Sequence, residues 1–244
     1  EAETHARLPD RKVQLTMMVA RSKYLKQLDE LAQAMDRLGE KTVADVTQAG
    51  LALAKGDAAA AEEVIAGEKQ MRRLRAEIEE ACLDIMLMQQ PLVADDLRYV
   101  SGSFRLVSDL AHIDSKTRDV ADLALQIPHG IAQSIEGEVT RAAGKVAYMV
   151  KLALESFEES DRGKAEDVFA SDDEVDALYA EAESRIIELI RARDVDATYL
   201  PELLMAAKYF ERMGDDAERV AKWTVFRITG MHDLKAHVEG EVGA

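Results

Sequence analysis

A single cysteine, Cys82, excludes any disulfide framework within the chain and favours a reducing compartment. Four prolines and an aromatic content of 5% leave little material for turns or for an extensive sheet. No apolar run approaches the roughly 20 residues of a membrane span, and no stretch at the start reads as a secretory signal. Basic clusters are missing as well. With 31 basic against 47 acidic residues the net charge is −16. That argues against nucleic acid as a partner, because phosphate contacts need grouped Lys and Arg. What these absences leave is a soluble cytoplasmic protein whose acidic balance suits cations or a basic protein partner.

What is present is helical periodicity. Residues 1–12 are polar, hold Pro9 and read as a flexible arm. From Leu15 an apolar stripe runs through Leu28, Leu31, Met35 and Leu38 to Leu53, with Leu25 also on it; Gly39 and Gly50 are its only weak points. Lys55-Gly56-Asp57 reads as a stop followed by a cap. Asp57 opens a second helix that ends at Pro91, and a third begins over Leu92–Arg98 and runs to the break at Pro128-His129-Gly130. The second half repeats the plan. One helix is expected over Ile131–Glu159, and a second after Ser160-Asp161 carries Val168, Val175, Ile186, Ile187 and Ile190. A final helix is expected from Pro201 towards Gly230, Pro suiting the first turn. Asp57 to Glu68 overlays on Asp161 to Asp172 at an offset of about 104 residues, the signature of an internal duplication. The expectation is an all-α protein of two related antiparallel three-helix bundles, residues 13–127 and 131–230, with a tail at 231–244.

Catalytic residues are poorly represented. Five histidines are scattered, no glycine-rich phosphate loop or nucleophile elbow is visible, and Cys82 lies on an apolar helix face. Asp109 and His112 have the i, i+3 spacing of di-iron bundles but lack a second copy. What remains is acidic. Glu211 and Asp215 are one turn apart on the last helix, with Gly214 between them hinting at close packing or a ligand. Asp172 and Asp176 are one turn apart on the helix before it. If those helices pack antiparallel, four carboxylates converge, an all-oxygen set suited to a hard cation such as magnesium, manganese or ferric iron. Two separate solvated faces are the alternative.

The chain resembles the PhoU family of phosphate-specific transport system accessory proteins. The resemblance covers Leu28 to Gly230. It rests on Gly67-Glu68-Lys69, Glu79-Glu80-Ala81-Cys82, Gln90-Pro91 leading to Asp96-Leu97-Arg98, and Phe210-Glu211-Arg212-Met213-Gly214-Asp215, all in order within the duplicated layout. It implies a cytoplasmic regulator of phosphate uptake and of the phosphate-starvation response, not an enzyme. The implied partners are the ATPase subunit of a phosphate ABC transporter and a sensor histidine kinase; a homodimer is left open. The family pattern also implies a metal ion (iron, manganese or magnesium) at Asp172, Asp176, Glu211 and Asp215. The first copy departs from it: overlaying residues 108–115 on 208–215 puts Ala111 and Ser115 where Glu and Asp belong, and Arg72 stands opposite Asp176. Metal is therefore expected in one bundle at most. A metal-dependent enzyme or metal-storage bundle built on the same carboxylates is the competing reading, and a ligand-free adaptor a third.

Overall fold

Caps and left-handed residues set the helix boundaries. In this computed structural model, which describes residues 11–89, 91–193 and 196–231, all the regular structure is helical. Helix α1 spans Arg11–Lys55, α2 Ala58–Ala66, α3 Glu68–Met88 and α4 Ala94–Gln126. A short α5 (His129–Ala132) and a 3₁₀ turn lead into α6 (Glu136–Glu159), followed by α7 (Arg162–Ala192) and α8 (Leu200–Thr229). Gly56 closes α1 at φ +67° and Ser160 closes α6 at φ 54°, both left-handed. In each case an aspartate follows as N-cap: Asp57 accepts from the Ala60 amide and Asp161 from the Lys164 amide. The duplication is thus written into the caps at one offset.

Three boundaries and the burial of three side chains differ from expectation. The chain is already helical at Arg11, so the arm drawn at 1–12 reaches too far; residues 1–10 and the tail from 232 lie outside the described residues. The helix opened by Asp57 is interrupted at Gly67, whose amide bonds back to Glu63 and Val64 before the chain continues as α3. The helix expected from Ile131 starts in earnest only at Glu136, after a 3₁₀ turn. Leu25, Ile187 and Ile190, assigned to apolar faces, are exposed, because they point away from the packed side on which their neighbours Leu28, Ile186 and Leu189 lie. Among the described residues no helix is long and apolar enough to cross a membrane.

Helices α1, α2–α3 and α4 pack as one antiparallel bundle, and α6, α7 and α8 as the other. Arg37 reaches Glu77 between α1 and α3; Arg141 reaches Glu181 and Lys145 reaches Glu174 between α6 and α7. The cores merge, because α1 packs on α6 and α4 on α8, each helix meeting its own duplicate.

These contacts are reciprocal, as in a symmetric dimer. A Cβ at Gly39 would strike Leu154, and one at Gly50 would strike Ala143. At the 104-residue offset Gly39 corresponds to Ala143 and Gly50 to Leu154, so each contact is the image of the other. Both glycines mark close helix approach rather than weak points. On the α4–α8 side Lys116 and Asp216, 100 residues apart and equivalent in the overlay, pair with each other at 2.6 Å. This ion pair therefore sits on the pseudo-twofold axis. Asp216 is 1% exposed and is also held by Arg219, which contacts Asp109 at 3.4 Å; Trp223 Nε1 donates to Asp109 at 2.8 Å.

Candidate functional site

The amphipathic patterns of α7 and α8 bury Val168, Val175 and Leu178 against Phe210, Met213 and Ala217. That packing leaves the acidic stripes of both helices along one seam. The helices run antiparallel: Asp172 is level with Gly214, and Tyr179 with Lys208. A Cβ at Gly214 would lie 3.1 Å from Asp172 Oδ1 and 3.3 Å from Val175, so this glycine admits the neighbouring helix and its carboxylate.

Burial, then the charges of Asp215, Glu218, Asp176 and Glu211, push the Asp172 carboxyl up to about 6. Burial, followed by Glu211 and Asp176, also raises Asp215, against the opposing pull of Arg219 and Lys208. The four residues singled out by spacing therefore share one field, with Asp176 at its exposed edge. Asp172 has a folded value above its unfolded one, so the folded state holds the extra proton. Its contribution to stability is present below about pH 4 and is lost as pH rises towards 6.

Spacing alone missed a lysine. Lys208 pairs with Glu211 Oε1 at 2.6 Å, and its ammonium lies 4.7 Å from the Tyr179 ring centre. The remaining Glu211 oxygen, Oε2, is buried without a hydrogen-bond partner. The i, i+3 relation of Lys208 to Glu211 was visible in the sequence; the ring from α7 was not. Among the described residues no three of His, Cys, Asp or Glu stand close enough together to hold one metal ion. The seam fits a hard cation in donor type, in charge and in its orphaned Glu211 oxygen. Asp172, Glu211 and Asp215, with Asp176 at the rim, are the carboxylates that would have to draw in to hold one, since they are not gathered around a single point. Such an ion would supply charge neutralisation across the α7–α8 contact.

The corresponding seam of the first bundle is filled by its own cations. Arg118 lies 3.3 Å from Asp114 and 3.8 Å from Glu68, and Arg72 3.7 Å from Glu68. Together with Ala111 they line a cavity of about 190 Å³. Asp109 and Asp114 face opposite ways, the first to Trp223 of α8 and the second to Arg118. His112 is exposed and Cys82 fully buried.

The profile of the PhoU domain matches residues 35–124 and again 139–224, more than half of the chain and one copy in each bundle. The chain is similar to a phosphate-specific transport system accessory protein PhoU homolog from Clostridium acetobutylicum. The two are 29% identical over 203 residues, 83% of this chain and 93% of that protein. A protein of the same description from Synechocystis is 30% identical over 169 residues, 68% of this chain and 73% of its own length. The fold matches the crystal structure of PhoU from Pseudomonas aeruginosa with a TM-score of 0.77 at 24% identity, covering 85% of this chain and all of that one. It also matches the phosphate transport system regulatory protein PhoU from Streptococcus pneumoniae, with a TM-score of 0.78 at 23% identity, covering 86% and 99%. With the domain matched twice, at the two offsets that relate its bundles, this chain belongs to the PhoU family.

Proposed function

We propose that this protein regulates phosphate uptake and the phosphate-starvation response by binding other proteins rather than by catalysis. The observation that carries this reading is the family match across both bundles, with relatives named as accessory proteins of phosphate-specific transport. The partners on this reading are the ATPase subunit of a phosphate ABC transporter and a sensor histidine kinase, met from the cytoplasmic side. Deletion of the gene is expected to switch on phosphate-responsive genes in phosphate-rich medium. Unchanged expression would remove the regulatory reading.

The carboxylate seam supports a second element, a bound iron, manganese or magnesium ion in the C-terminal bundle only. It rests on the mutual repulsion along Asp172, Asp176, Glu211 and Asp215 and on the orphaned Glu211 oxygen. A cation that binds only the folded state raises its stability by mass action. At pH 7.5, where Asp172 is ionised, manganese should raise the melting temperature of the wild type. It should leave a Glu211→Ala/Asp215→Ala variant unmoved. Equal shifts in both proteins would dismiss the seam as a metal site.

A further inference from the structure

Where α1 and α6 cross near Gly39, a groove of about 530 Å³ lies on the surface between them. Met35, Gly39, Val43 and Leu154 form its apolar part, and carboxylates stand on both banks. On α1 these are Asp36 and Glu40, one turn apart, both exposed. Neither has a cationic partner among the described residues. On α6, Glu155 and Glu159 are met by Lys164 at 3.3 and 2.8 Å, and Lys151 stands 3.8 Å from Glu155. Glu158 points inward. It accepts from the Tyr99 hydroxyl of α4, faces Arg227 of α8 and Asp36 of α1, and burial pushes its carboxyl up to about 7.

The fold does not require this acidity. At the 104-residue offset Asp36 and Glu40 correspond to Thr140 and Gly144, and Glu155, Glu158 and Glu159 to Leu51, Ala54 and Lys55. The helix crossing is the same on both sides of the pseudo-twofold axis, yet only one side pairs an apolar trough with unpaired acids. An apolar strip about two turns long beside the unpaired acids of α1 matches an amphipathic helix laid along it with Lys or Arg on the flank that meets Asp36 and Glu40. Opposite charges would also speed and steer the encounter.

We propose that the α1–α6 groove is a docking site for a cationic amphipathic helix of a partner protein. The inference rests on the reading of this protein as one that acts by binding other proteins, and it names the surface and the partner's chemistry. The probe is a synthetic 16-residue peptide of about equal Leu and Arg with Leu at helical spacing, compared with a shuffled peptide of the same composition. The full-length protein is expected to bind the amphipathic peptide at least about tenfold more tightly than the shuffled one. Asp36→Lys/Glu40→Lys should abolish that preference. Glu62→Lys/Asp84→Lys, the same charge change on exposed positions of α2 and α3, should retain it. If charge reversal in the groove disturbs folding, Asp36→Ala/Glu40→Ala should still weaken binding severalfold. Equal binding of the two peptides, equal losses in both reversal variants, or displacement of the peptide by spermine would overturn the proposal. In cells the two ideas separate cleanly. A groove variant that fully replaces the wild type overturns the docking site and leaves the regulatory reading standing, whereas a silent deletion removes that reading itself.

Discussion

Replacing Asp216 by Asn is expected to lower the stability of the protein by about 3 kcal/mol, the low end of what an uncompensated buried charge costs. Asn keeps the volume and shape of the side chain, so the loss reads the charge and not a cavity. Asp216 is 1% exposed, and the Lys116 side chain that meets it is 20% exposed. Burial, then Arg219 and Arg212, already drive the lysine towards its neutral form, with Asp119 and Asp215 in partial opposition. Without Asp216 the ammonium stays among guanidinium groups with only those weaker acids to balance it. The remaining exposure of Lys116 holds the cost near the lower limit, since water still reaches the ammonium. Removing both partners as Lys116→Met/Asp216→Leu is expected to be neutral or stabilising, because no buried charge is then left alone and Arg219 keeps Asp109. Urea unfolding of Lys116→Met, Asp216→Leu and the double variant gives the coupling directly. A loss below about 1 kcal/mol for Asp216→Asn would mean that the pair is screened like an exposed one.

The position of that pair shows what one-dimensional reading reaches. The caps at Asp57 and Asp161 were legible, because an N-cap depends on its own residue and the next three. The duplication was legible for the same reason, as similar local signals recur at one offset. Residue types along the carboxylate seam followed from helical spacing, and antiparallel packing lays them along one seam within each other's field, though not around one point. The Lys208 ammonium over Tyr179 and the Lys116–Asp216 bridge were not legible, since each joins side chains of different helices whose facing is set by packing and not by spacing along the chain. Overlaying the halves does put Lys116 on Asp216. That they touch follows only once each helix is seen to pack on its own duplicate. The Gly67 break was overlooked because one glycine in a strong helical pattern reads as tolerated. Gly39 and Gly50 were misread in the other direction, since propensity weighs the backbone and not the neighbouring helix.

Gly50 is where that difference is largest. In an exposed helix interior, Gly→Ala gains up to about 1 kcal/mol from propensity alone. Gly144 on α6 offers that case, exposed with open space where a Cβ would go, so Gly144→Ala should stabilise by about this amount. Gly50→Ala carries the same gain, but its methyl would strike the Cβ of Ala143, which cannot rotate away. The α1 and α6 backbones must part, and overpacking of this kind costs about 1–3 kcal/mol. Separating them also loosens the contact with Phe210, whose ring stands 3.7 Å from the added methyl. The collision therefore outweighs the propensity, and Gly50→Ala is expected to destabilise while Gly144→Ala stabilises. Gly39→Ala falls between them, because its obstacle is the far end of the Leu154 side chain, which can turn aside. The reciprocal geometry supplies the control. In Gly50→Ala/Ala143→Gly the small and larger residues change places across the same contact, so the double variant should recover most of the loss. Thermal unfolding of these variants decides the matter. Simple additivity of Gly50→Ala and Ala143→Gly would show that the helices do not meet where the duplication brings them together.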